Sequence, residues 1–247
     1  MRLLRMLLVQ TRMNFIWYLL RDGEMVFWAL GMPLFFLFLF SFAFGFGSTR
    51  AASAFLVPGI IGAQVLSSGF WGVGAQLATF REKDMLRRVY ITPLPPALFF
   101  AALVLYRMVL LALQAVLLTV FGIVVFHVHV NGDIAAIVLV LALGAATFVA
   151  LGTLIGALAK TTESANNIAS VLTVPLAFLS DAYIPIDRFP HAVGATLRLL
   201  PSTQFVEALR GVTTGGEPLG HFAAPLGLLV LWTIAGTLVS SRLFRWI

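Results

Sequence analysis

The chain has 247 residues, 60% of them hydrophobic and 11% charged, with a mean hydropathy of +1.00. Soluble domains carry about a quarter charged residues, so these charges are too few to coat a water-facing surface, and the bilayer must be the solvent for most of the chain. The net charge of +6 is scattered between apolar stretches, which argues for topology signals and anionic-lipid contact and against nucleic acid, while the lack of cysteine excludes disulfides and thiolate metal sites.

Residues 1–24 read as an amphipathic helix. At 100° per residue, Arg2, Arg5 and Arg12 fall within about 80° of one another, and Leu3, Leu4, Leu7, Leu8, Phe15 and Tyr18 point roughly the other way. Such a helix lies in the membrane interface, as an anchor or as a contact for a partner, with Trp17 and Tyr18 at headgroup level. The first apolar stretch, Met13 to Leu20, is short and preceded by arginines, so a cleavable signal peptide is not expected.

Six spans follow from the apolar runs, since a crossing helix needs about 20 apolar residues. Span 1 covers about Met25 to Phe46, with Pro33 inside it, and span 2 covers Phe55 to Ala78. The glycines of span 2 (Gly59, Gly62, Gly69, Gly72, Gly74) allow close helix approach. The most charged segment comes next. Thr79 and Glu82 have capping-box spacing, so a short helix is expected to start there, and Thr92-Pro93 and Pro95-Pro96 end it. Span 3 lies within Ala97 to Phe126, and His127 to Asp133 is a polar turn. Span 4 covers Ile134 to Ala159 and carries a GxxxG pattern at Gly152 and Gly156. After a polar loop at 160–167, span 5 is short, about Ile168 to Leu179, with Pro175 inside it. Residues 180–221 are too polar for a simple span, yet their apolar residues recur at helical spacing, so two short helices are expected. Span 6 runs from Phe222 to Val239.

Lys and Arg divide unevenly between the two sides. Arg2, Arg5, Arg12, Arg21, Arg81, Lys83, Arg87, Arg88, Lys160, Arg242 and Arg245 fall on one side, and only Arg50, Arg188, Arg198 and Arg210 on the other. The basic side is cytoplasmic by the positive-inside rule, which puts both termini inside.

Motifs for chemistry fail. Gly156 to Thr161 superficially matches the end of a phosphate-binding loop, but it lacks the glycine before Lys160 and ends a membrane helix instead of following a strand. His127 and His129 make a poor chelate with no carboxylate to complete it, and His191 and His221 are isolated. Arg107 is the one basic residue within a span. Either it snorkels to the inner edge, or it lines an internal path together with Gln114, two turns along the same face.

The arrangement resembles the permease subunit of ABC-2 type exporters. Two segments carry the likeness. One runs from Phe80 to Pro95 and is similar to that family's cytoplasmic coupling helix, with Arg81, Glu82, Lys83, Asp84, Leu86, Arg87, Arg88 and Tyr90, then Thr92-Pro93-Leu94-Pro95. The other runs from Phe178 through Asp181, Pro185, Pro190 and Pro201 to Glu207 and Arg210, and is similar to the family's stretch after span 5; Asp181 stands where the family usually has glycine or another small residue. The TPLP pattern looks most like the drug- and lipid-exporting, daunorubicin-resistance branch.

The resemblance implies an all-α membrane protein. It has one domain over residues 1–247, six spans, an N-terminal interface helix, a cytoplasmic coupling helix and a re-entrant helical pair between spans 5 and 6. It implies no catalysis in this chain and no bound cofactor, ATP and Mg being held by a separate ABC ATPase. The partners implied are that ATPase, membrane lipid and a second permease chain, as a homodimer or heterodimer. The implied location is a bacterial or archaeal inner membrane, and the implied cargo a drug, lipid or glycolipid. A polysaccharide-exporting permease and a non-transporting membrane scaffold are the alternatives.

Overall fold

The computed structural model describes residues 2–21, 27–44, 49–85 and 95–243. Those residues are helical with short connections. Helix α1 is Arg2–Arg21; a wide turn at Phe27–Gly31 leads into α2, Met32–Phe44. Then α3, Thr49–Gly69, a π-helical piece at Phe70–Ala75 and α4, Gln76–Glu82, run on without a break. Helices α5, Pro96–Phe126, and α6, Ile134–Leu158, come next, followed by α7, Thr162–Leu179. A 3-10 turn at Ile186–Arg188 precedes α8, His191–Leu197, and α9, Pro201–Arg210. The chain finishes through short turns at Gly211–Gly215 and Leu219–Phe222 into α10, Ala223–Leu243.

Among the described residues four helical runs are long and apolar enough to cross a membrane: Ala52–Glu82, Leu98–Phe126, Ile134–Leu158 and Leu219–Leu243. They coincide with the expected spans 2, 3, 4 and 6. The expected span 1 reaches beyond the described residues at both ends, and α2 alone, at 13 residues, is shorter than a crossing. The helix expected as span 5, α7, is not among these four, and it starts earlier than the hydropathy pattern suggests. Residues 162–167 belong to α7 because Thr161 caps it, its hydroxyl accepting from the Ser164 amide at 3.1 Å.

Helix α6 is the hub. It packs on the π-helical piece, on α3 and on α10. Its glycines permit the first of these contacts. A Cβ on Gly152 would lie 2.0 Å from the Gly69 carbonyl oxygen, and one on Gly74 would lie 2.7 Å from that of Gly152. Backbone meets backbone there, so the GxxxG pattern of α6 and the glycine run of span 2 are two halves of one crossing. Three phenylalanines extend the core: Phe70 and Phe148 have centroids 6.1 Å apart, and Phe148 and Phe205 5.9 Å. Phe205 belongs to α9, whose ring fits over Gly144.

Helix α1 packs on α5. Phe15 joins a cluster with Val73, Leu77, Leu103 and Tyr106. Leu7 is half-buried and Arg12 exposed, as the amphipathic pattern requires, whereas Leu8 is exposed.

Candidate functional site

The expected coupling segment begins where α4 ends. Thr79 does not start a helix; it sits in the last turn of α4, its hydroxyl donating to the Ala75 carbonyl at 2.9 Å. The Thr79–Glu82 pair therefore does not form a capping box with itself. Glu82 instead accepts the Thr162 amide at 2.7 Å, at the N-terminus of α7. Arg81 donates to the carbonyls of Gly156, at 2.6 Å, and Ala159, at 3.1 Å, at the C-terminus of α6. The Thr162 hydroxyl closes the set on Thr79 at 3.1 Å. A cation thus meets the free carbonyls of one helix, and an anion the free amides of the next, which is the favourable sense for both helix dipoles. Lys83 and Asp84 are exposed, and the chain turns there through a left-handed Asp84 (φ 53°). Leu86, Arg87, Arg88 and Tyr90 lie outside the described residues.

Arg107 is only 9% exposed and reaches sideways to span 2. Its guanidinium donates to the Gln76 side-chain oxygen at 2.9 Å and lies against Gly72, where a Cβ would come within 2.7 Å of Cζ. Gln76 sits six residues before Glu82, about 9 Å along the helix axis. The contact is lateral, across to span 2, and not along the residue's own helix. The reason is the notch at Gly72, which admits a bulky head, and a polar partner beside it. Gln114 is buried too, at 3% exposure.

The opposite end of the bundle holds the segment after α7. Pro185 precedes the 3-10 turn, Pro190 precedes α8, and Pro201 is the first residue of α9, each where its fixed φ suits a helix start. Helix α9 is far more buried than a loop segment: eight of its ten residues are buried, against α3, α6, α7 and α10. Asp181 turns the chain in the left-handed region (φ 63°), a conformation that short polar side chains tolerate and glycine favours. Its carboxylate accepts the Ile186 amide at 2.7 Å and pairs with Arg210 of α9. Arg210 also donates to the Asp181 carbonyl at 2.5 Å and to the Phe55 carbonyl at 3.3 Å, with its guanidinium 3.7 Å from the Phe55 ring centroid. Burial disfavours the charged guanidinium, and the Asp181 carboxylate offsets that effect. The arginine thus pairs across 29 residues, with Asp181 and not with Glu207 one turn back on its own helix. By contrast, Asp187 and Arg198, 3.4 Å apart, are both largely exposed, and such pairs contribute little.

Sequence reasoning missed three members of these clusters: Gln76, Thr162 and Phe55. Gln76 alone carries a signal, as a polar side chain inside an apolar run.

The helices define a multi-pass membrane protein whose polar clusters sit at helix ends and at one notch within the bundle. The model of the ABC-2 type transporter family matches residues 7–213, and the chain belongs to that family. It is 26% identical over 202 residues to "Putative transport permease YvfS" of Bacillus subtilis (strain 168), covering 81% of this chain and 82% of that one. It is 28% identical over 106 residues to "Nodulation protein J" of Rhizobium leguminosarum bv. viciae, covering 43% of this chain and 40% of that one. The Rhizobium meliloti (strain 1021) protein of the same name is also 28% identical over 106 residues.

Proposed function

We propose that this chain is the permease subunit of an ATP-driven exporter, powered by a separate cytoplasmic ABC ATPase that docks on the segment from Lys83 to Tyr90. The cargo is hydrophobic or amphipathic, such as a drug, lipid or glycolipid, and two permease chains form the translocation unit. The observation that carries the reading is the placement of the most charged segment. It leaves the end of a continuous helix from Thr49 to Glu82 that is locked, glycine against glycine, to the hub of the bundle. A displacement delivered at Glu82 acts on the end of a helix that is packed tightly against the rest of the bundle. Family membership supports the same division of labour.

The basic-residue asymmetry supports placing this end, and both termini, in the cytoplasm. Six spans then require α2 with its flanking residues, and α7, to cross as well. On this reading α8 and α9 enter from the outer side and turn back, and the burial of α9 satisfies the condition that such backbone be covered by protein. Arg107 and Gln114 face the bundle interior.

The test is co-expression with a candidate ABC ATPase subunit. The complex is expected to co-purify and hydrolyse ATP, and the permease alone to hydrolyse none. Arg87→Glu with Arg88→Glu is expected to abolish the association, since reversed charges at a contact cost several kcal/mol. A stable double variant that still assembles and transports would remove the docking role.

A further inference from the structure

Arg81 and Glu82 lie in the segment that resembles a docking helix, yet both side chains turn back into the chain's own membrane domain. Only Ala159, Lys160 and Thr161 separate α6 from α7. Arg81 holds the last carbonyls of α6, and Glu82 the first amide of α7, so two consecutive residues of span 2 span this joint. Thr79 and Thr162 add a hydroxyl contact between the same elements. Beneath the clasp, a Cβ on Gly156 would lie 2.9 Å from the Leu77 Cβ, and Leu77 and Ala78 are fully buried. Polar clasp and tight packing together leave the end of span 2 no freedom to slide against the joint.

We infer that Arg81 and Glu82 are transmission residues: they do not bind the ATPase but carry its displacement from span 2 into the α6–α7 joint, so that α7 moves with the coupling segment. This inference rests on the function proposed above. The physics favours a clasp over a contact made in passing. Each side chain satisfies backbone groups that helix ends leave free. Each charge has the sign its helix end attracts. Breaking the Arg81 contact loosens the end of α6 and breaking the Glu82 contact loosens the start of α7, in both cases without disturbing the exposed face of Lys83 and Asp84. The two elements then keep their places but lose their rigid relation, which is how coupling between sites is lost without loss of fold.

Hydrogen exchange on the assembled complex tests this, comparing the nucleotide-free and ATP-trapped states. In the wild type, trapping is expected to change exchange both in 83–95 and in 160–168. In Arg81→Ala and Glu82→Ala the complex still co-purifies and 83–95 still responds, but the response of 160–168 is lost. Glu82→Gln, which keeps an acceptor for the Thr162 amide, is expected to restore it, and Arg81→Lys, which keeps the charge, to restore it in part. The inference is overturned if the alanine variants lose the ATPase, or if 160–168 responds in them as in the wild type. It is also overturned if 160–168 is silent in the wild type while 83–95 responds. Silence of both segments in the wild type would instead defeat the proposed docking itself.

Discussion

Arg210 and Asp181 form a largely buried ion pair that joins α9 to the turn after α7, with the side chains 18% and 13% exposed. The arginine spends its remaining donors on two backbone carbonyls, those of Asp181 and Phe55. One side chain therefore ties together the start of α3, the end of α7 and α9. Removing one partner of a buried pair leaves an uncompensated charge and costs about 3–5 kcal/mol.

Arg210→Ala and Asp181→Ala are accordingly expected to lower the melting temperature of the purified protein strongly. Glu207→Gln is expected to change it little. The double variant Asp181→Ala with Arg210→Met is expected to recover part of the loss, because no lone charge remains. Thermal unfolding in detergent or nanodiscs checks all four. If Glu207→Gln proves as damaging as Arg210→Ala, the pairing is assigned to the wrong acid.

The glycine crossing sets a second expectation. Gly152→Val forces a side chain into the Gly69 backbone, and Gly144→Val drives one into the Phe205 ring, 2.2 Å from a Cβ at that site. Overpacking of this kind costs about 1–3 kcal/mol, and more where backbone must move. Both variants are expected to lose monodisperse protein, Gly152→Val more severely. Gly220→Ala and Gly227→Ala meet nothing within 4 Å and are expected to behave as wild type. Size-exclusion profiles after mild solubilisation separate these outcomes.

A third concerns the notch in span 2. Arg107→Leu removes the partner of the half-buried Gln76 side chain, at a cost of about 1 kcal/mol. The double change Arg107→Leu with Gln76→Leu is expected to regain stability. If the inner bundle serves transport, the double variant is stable yet inactive, whereas full activity would show the pair to be structural.

Parts of this architecture are legible in the sequence. The ends of α5 and α6 follow from Pro95-Pro96 and from Asp133, whose side chain accepts the Ala135 amide, because caps and prolines act on their immediate neighbours. The close packing of span 2 follows from its glycines, since small residues are what close helix contacts need. The partner of each glycine does not follow, because many registers bring small residues together. The spacing of Thr79 and Glu82 misleads for a related reason. A carboxylate that can cap its own helix can equally cap another, and tertiary structure decides which. Arg210 likewise has an acid three residues away and another 29 away, and only the fold shows that Asp181 is nearer. The burial of α9 escapes hydropathy because Ser202, Thr203 and Gln204 lower its average while Phe205, Val206 and Leu209 fill the core.

The sidedness of the chain and its dependence on an ATPase are tested together by one photo-crosslinking measurement in native membranes. A photoreactive residue is placed at Lys83, at Arg88, at Asn131 or at Gly216, with the ABC ATPase co-expressed. Positions 83 and 88 are predicted to capture the ATPase. Positions 131 and 216, which meet at the other end of the bundle, are predicted to capture none. Capture from 131 or 216, or no capture from 83 and 88 in a complex that co-purifies, would contradict the account.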